Sequence, residues 1–125
     1  MRKLWLQSFT IILAIGLSLR LCQAQPWQPD TAEISKLEAG DFPRLGHSPD
    51  LSTYARYYAG ISENGHHLIV GELLTLVGDS RTAGVHIVAG EKDFPVIFDG
   101  GCSVMHIRYD VDTSQIISLI CNGRG

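Results

Sequence analysis

At 125 residues the chain has room for one domain and a short leader. Its formal charge of −3, with no cluster of Lys and Arg, excludes the basic footprint that nucleic acid or an anionic membrane surface would require.

Residues 1–24 read as a cleavable secretion signal. Arg2 and Lys3 form the positive start, and residues 9–19 (FTIILAIGLSL) form an apolar run of 11 residues, too short to span a bilayer. Cys22 and Ala24 put small side chains where a signal peptidase selects them, so cleavage is expected between Ala24 and Gln25. The 101 residues that remain lose three basic side chains (Arg2, Lys3, Arg20) and no acidic one, so the formal charge falls from −3 to −6. No membrane contact is expected after cleavage, and an exported location, periplasmic or secreted, follows. Of three cysteines only Cys102 and Cys121 survive. A pair in an oxidising compartment reads as a disulfide.

Residues 25–50 form an N-terminal helix and loop segment, and residues 51–125 a β-rich core belonging to the same domain. Asp30 followed by Glu33 gives the pattern of a capping box. Ile34 and Leu37 supply a short apolar stripe and Gly40 a stop, so a short helix is expected there. Residues 54–62 (YARYYAGIS) and 68–76 (LIVGELLTL) flank Asn64-Gly65, the pair best suited to a two-residue hairpin turn. That turn sets Ala59 opposite Val70 and Ile61 opposite Leu68. A helical period over residues 48–59 competes with the start of this strand, and the strand from Tyr54 is preferred. A polar loop over residues 78–83 leads to a short strand at residues 85–89. Pro95, a brief apolar run at residues 96–98 and an Asp99-Gly100-Gly101 turn follow.

The final hairpin joins residues 102–109 to residues 114–121 through a four-residue loop opened by Asp110. Pairing Tyr109 with Ser114 carries Cys102 directly across from Cys121, at a separation a disulfide accepts. Alternation then places Cys102, Val104, His106 and Arg108 beside Ile117, Leu119 and Cys121, with Met105, Ile107 and Tyr109 beside Ile116 and Ile120. Both faces carry apolar groups, and one short helix cannot cover both. The sheet either curls on itself or meets a second molecule, a homodimer partner or another envelope protein.

Residues 76–84 (LVGDSRTAG) resemble the first block of the GDS-type (SGNH) lipases and esterases. The resemblance implies Ser80 as the nucleophile of a small serine hydrolase. That family also needs a Gly and an Asn for the oxyanion hole and an Asp-x-x-His for the base. Neither block occurs in the 41 residues after Gly84. A polar turn is the simpler reading, and no catalytic residue is assigned.

Strand alternation points His66 and His67 to opposite faces, so they cannot chelate one ion as an adjacent pair. His86 and His106 could form a metal-binding module only if their strands are neighbours. Asp110 and Asp112 suit a turn and lack the further oxygens of a calcium loop. No metal or other cofactor is therefore expected. Tyr54, Tyr57 and Tyr58 with Trp27 could line a groove or fill a core, the core being the commoner use.

The order of landmarks Arg56-Tyr57-Tyr58-Ala59-Gly60, Asp99-Gly100-Gly101-Cys102, Tyr109-Asp110 and Cys121-Asn122-Gly123 resembles small exported bacterial proteins of uncharacterised function. It implies no activity and favours a periplasmic location. The expectation is an α+β domain with an antiparallel, hairpin-built sheet of about four to six strands and a short N-terminal helix. Its expected role is non-enzymatic binding or support in the envelope.

Overall fold

A computed structural model describes residues 26–40, 42, 49–76 and 82–123. The signal reading and Ser80 lie outside these residues. The helix α1 (Thr31–Glu38) forms where the capping box placed it. The Asp30 carboxylate accepts the Glu33 amide at 2.8 Å, and the Asp30 amide donates to the Glu33 carboxylate at 2.8 Å. Ile34 and Leu37 are its buried residues.

Five strands follow: β1 (Tyr54–Glu63), β2 (His66–Thr75), β3 (Gly84–Ile87), β4 (Val104–Asp110) and β5 (Gln115–Cys121), in the sheet order β3-β1-β2-β4-β5. The first hairpin has the expected register, Ala59 opposite Val70 and Ile61 opposite Leu68. Asn64 and Gly65 both carry the positive φ that this turn demands. The competing helical period survives only as one 3-10 turn, Leu51–Thr53, before β1.

The sheet is mixed rather than wholly hairpin-built, because β3 pairs with β1 in parallel. The inner edge of β2 is occupied by β4. β3 lies on the side of β1 away from β2, and because β2 ends beside the start of β1, a strand begun at that end runs parallel to β1. Residues 96–98 form no strand.

The final hairpin departs from the expected register. Asp110 pairs with Gln115, so the loop is residues 111–114, closed by Ser114 at φ 57. A bulge then leaves Ile117 unpaired, between the Tyr109–Ile116 and Arg108–Ser118 pairs. Cys121 therefore faces Met105, not Cys102. The shift is odd in number, so side chains change face. Leu119 and Cys121 join Ile107 and Met105, and Ile120 joins His106. The disulfide nevertheless forms, with a Cα separation of 4.5 Å between Cys102 and Cys121. Gly100 and Gly101, both at positive φ, turn the chain into a 3-10 turn, Gly101–Ser103, that folds Cys102 back onto the end of β5.

One face of the sheet carries the main core. Tyr58, Ile69, Leu73, Met105, Ile107, Tyr109 and Leu119 pack there with Ile34, Leu37 and Phe42. On the opposite face Ala55, Leu74 and Val104 form a smaller cluster edged by Tyr57, Leu76 and Ile97. The staple closes the hairpin that supplies much of the main core. Reducing it, or replacing both cysteines by serine, is expected to lower stability by about 2–5 kcal/mol. Urea melts with and without reductant check this; coincident midpoints would contradict it.

Candidate functional site

Each hairpin ends in a turn, and the two turns are stitched together at the start of β2. The loop after β4 donates the Val111 amide to the His67 carbonyl at 3.0 Å. The His67 amide in turn donates to the Asp112 carboxylate at 2.9 Å. Asp110 is the last residue of β4, and only 8 % of it is exposed. One of its oxygens accepts the Asp112 and Thr113 amides at 2.9 and 3.1 Å, the side-chain-to-backbone pattern of an Asx turn. The other lies 3.0 Å from His66 Nδ1. The carboxylate of Asp112 lies 3.8 Å from the same nitrogen.

Desolvation works against the charge on Asp110. The Thr113 and Asp112 amides, with His66 beside them, outweigh it and hold this carboxyl below the usual carboxylate range. Beside the cluster opens a cleft of about 250 Å³, lined by Glu63, Asn64, His66, Leu68, Asp110 and Ile117. Glu63 is engaged by Arg108 at 2.7 Å across the sheet. An imidazole fixed by a buried carboxylate can hold a proton or offer its lone pair to a cation. A second carboxylate beside it adds negative charge and favours the cation.

A second polar cluster lies under α1. Glu38 accepts the Tyr58 hydroxyl at 3.0 Å and the Arg56 Nε at 2.7 Å. Arg56 also donates to the Leu51 carbonyl. Burial, then the Glu38 charge, pushes the Tyr58 phenol above its usual range. Tyr58 is wholly buried, so this cluster joins helix to sheet and presents nothing to a ligand.

The other candidate residues are scattered. His86 and His106 are not brought together: β1 and β2 lie between their strands. His86 Nε2 is 3.0 Å from the Thr82 carbonyl and its ring stacks on Tyr57 at 4.8 Å. His106 Nδ1 is 3.7 Å from a Glu72 oxygen. His67 stacks on Trp27 at 4.7 Å, pointing away from His66 as alternation requires. Tyr54 and Tyr58 belong to the main core and Tyr57 to the other face, so the tyrosines line no common groove. Gly100 and Gly101 serve the turn before β4.

Sequence reasoning treated Asp110 and Asp112 as turn residues and His66 as solitary. Their meeting depends on β2 pairing with β4, a contact between two hairpins that neither turn announces. Compared with models of protein families, with curated proteins and with solved structures, the chain finds no match.

The Tyr58–Glu38 bond gives a pH-dependent expectation. Tyr58→Phe removes a hydrogen bond to a charged acceptor and should cost about 1.5–3 kcal/mol at pH 7. A raised phenol pKa means that the folded state keeps its proton where the unfolded chain begins to lose it, near pH ~10. The stability advantage of Tyr58 is then full below that pH and falls above it. Urea melts of wild type and Tyr58→Phe should show a gap that narrows at alkaline pH; a constant gap would contradict this.

Proposed function

We propose that this chain is a small exported, non-enzymatic domain, periplasmic or secreted, that acts by binding another polypeptide along the β5 edge. A second copy of itself is the partner that edge fits best. Export is supported by Arg2 and Lys3 ahead of the apolar run, by the small residues at Cys22 and Ala24, and by the Cys102–Cys121 disulfide. No helix among the described residues is long and apolar enough to cross a membrane.

The observation that carries the binding role is the chemistry of β5. It is the outermost described strand on its side, and its sequence, QIISLIC, holds no charge and no proline. Ile117 and Ile120 are 55 % and 54 % exposed. Natural edge strands are normally blunted by lysine, proline or a covering loop; among the described residues this one shows the bulge at Ile117 and no lysine or proline of its own. Val96 and Phe98, 78 % and 91 % exposed, project from the loop tethered at the end of β5. There the Asn122 side-chain Nδ2 donates to the Ile97 and Asp99 carbonyls at 2.8 and 3.0 Å. Apolar groups already held in place lose little freedom on docking. An uncharged edge pairs with its own copy about a two-fold axis, each strand meeting the same strand, which gives a closed interface.

The mature chain should scatter light as a dimer, and Ile117→Lys with Ile120→Lys should convert it to a folded monomer. A wild-type monomer at every concentration, or a dimer indifferent to both lysines, would contradict self-association through β5. N-terminal sequencing of the exported material should begin at Gln25; a chain that keeps residues 1–24 would contradict export by cleavage.

A further inference from the structure

We propose that His66, Asp110 and Asp112 form a binding site for a divalent transition-metal ion of the zinc class, at the junction of the two hairpins. This goes beyond the edge-strand reading and does not depend on it. The three side chains offer one nitrogen and two oxygen donors, all within 4.8 Å of one another. His66 Nδ1 lies 3.0 Å from one carboxylate and 3.8 Å from the other. An ion with bonds of about 2.0–2.2 Å holds neighbouring ligands roughly 3.0–3.5 Å apart. Small side-chain rotations therefore seat it.

Acidic residues in a turn need no ion, but this set differs in two respects. First, an imidazole stands among the carboxylates, and it comes from a different hairpin. Two carboxylates facing one imidazole leave at least one negative charge in excess, even with that imidazole protonated. A dication bound to the neutral ring balances them. Second, each donor residue is anchored through the main chain. The Asp112 and Thr113 amides hold Asp110, the His67 amide holds Asp112, and the ladder opposite Glu63 holds the His66 backbone. The site is thus assembled before an ion arrives, and little ordering opposes binding.

The donor set also selects the metal. One imidazole with two carboxylates suits zinc and its neighbours. It falls well short of the six to eight oxygens that calcium takes. The cleft bounded by Glu63, Asn64 and Ile117 leaves room for water to complete the coordination shell. Because the ligands come from both hairpins, the bound ion would clamp the start of β2 to the end of β4 and stabilise the folded state.

Zinc titration of chelator-stripped protein, followed by calorimetry and by thermal melting, tests the site. Wild type should bind one ion per chain, and its Tm should rise by several degrees. His66→Ala and Asp112→Asn, both at half-exposed positions, should keep the fold by circular dichroism and weaken zinc at least tenfold. The His86→Ala/His106→Ala double variant should bind as wild type does. No zinc uptake below about 1 mM would overturn the proposal. So would binding that survives His66→Ala, or binding that is lost with His86 and His106.

Discussion

The ring of Tyr58 lies against the bare backbone of Gly71, and most of the structure follows from that contact. A Cβ on Gly71 would fall 2.6 Å from Tyr58 Cδ1 and 2.8 Å from Ile107 Cγ2. The ring on β1, the missing side chain on β2 and the isoleucine on β4 therefore fix one another across three strands. The Tyr58 hydroxyl is satisfied by Glu38 at the end of α1. Arg56, two residues before Tyr58 on the same face, binds the same carboxylate and the Leu51 carbonyl. One buried aromatic thus sets the place of the helix and the approach to β1. The Arg56 and Glu38 side chains are 12 % and 18 % exposed, so desolvation offsets much of their attraction.

The opposite face is buried along its centre as well: Ala55 and Ala59 on β1 and Leu68, Val70 and Leu74 on β2 are 3 % exposed or less. At one end of that face Leu74 and Val104 pack with Ala55, edged by Tyr57, Leu76 and Ile97. Farther along, Arg108 reaches over the sheet to Glu63, and the two hairpin turns meet at His66, Asp110 and Asp112. The chemistry of this molecule is therefore concentrated on one face and one edge. Both of its proposed activities lie there, an ion at the hairpin junction and a polypeptide along β5.

Local signals were legible in the sequence, and contacts between hairpins were not. The capping box at Asp30 and Glu33 and the Asn64-Gly65 turn act within a few residues, so side-chain chemistry decides them. The second hairpin shows the limit. Asp110 caps the loop but pairs with Gln115, so the loop is residues 111–114 rather than 110–113; Ser114 takes the left-handed conformation and Ile117 bulges, and neither residue advertises this. The disulfide between Cys102 and Cys121 is present, although the register expected to bring the two together is not. The turn at Gly100 and Gly101 brings the sulfurs together instead. The parallel β3 strand and the His66 cluster were hidden because both depend on which strands become neighbours after the hairpins form.

The division into a closed face and a working edge can be measured by amide hydrogen exchange, residue by residue, at low and high protein concentration. The β1 and β2 amides around Tyr58 and Gly71 should be the slowest to exchange at both concentrations. The β5 amides not bonded to β4 should exchange quickly in dilute protein and become protected as concentration rises. Rapid exchange along β5 at every concentration, or early exchange around Tyr58, would contradict this account.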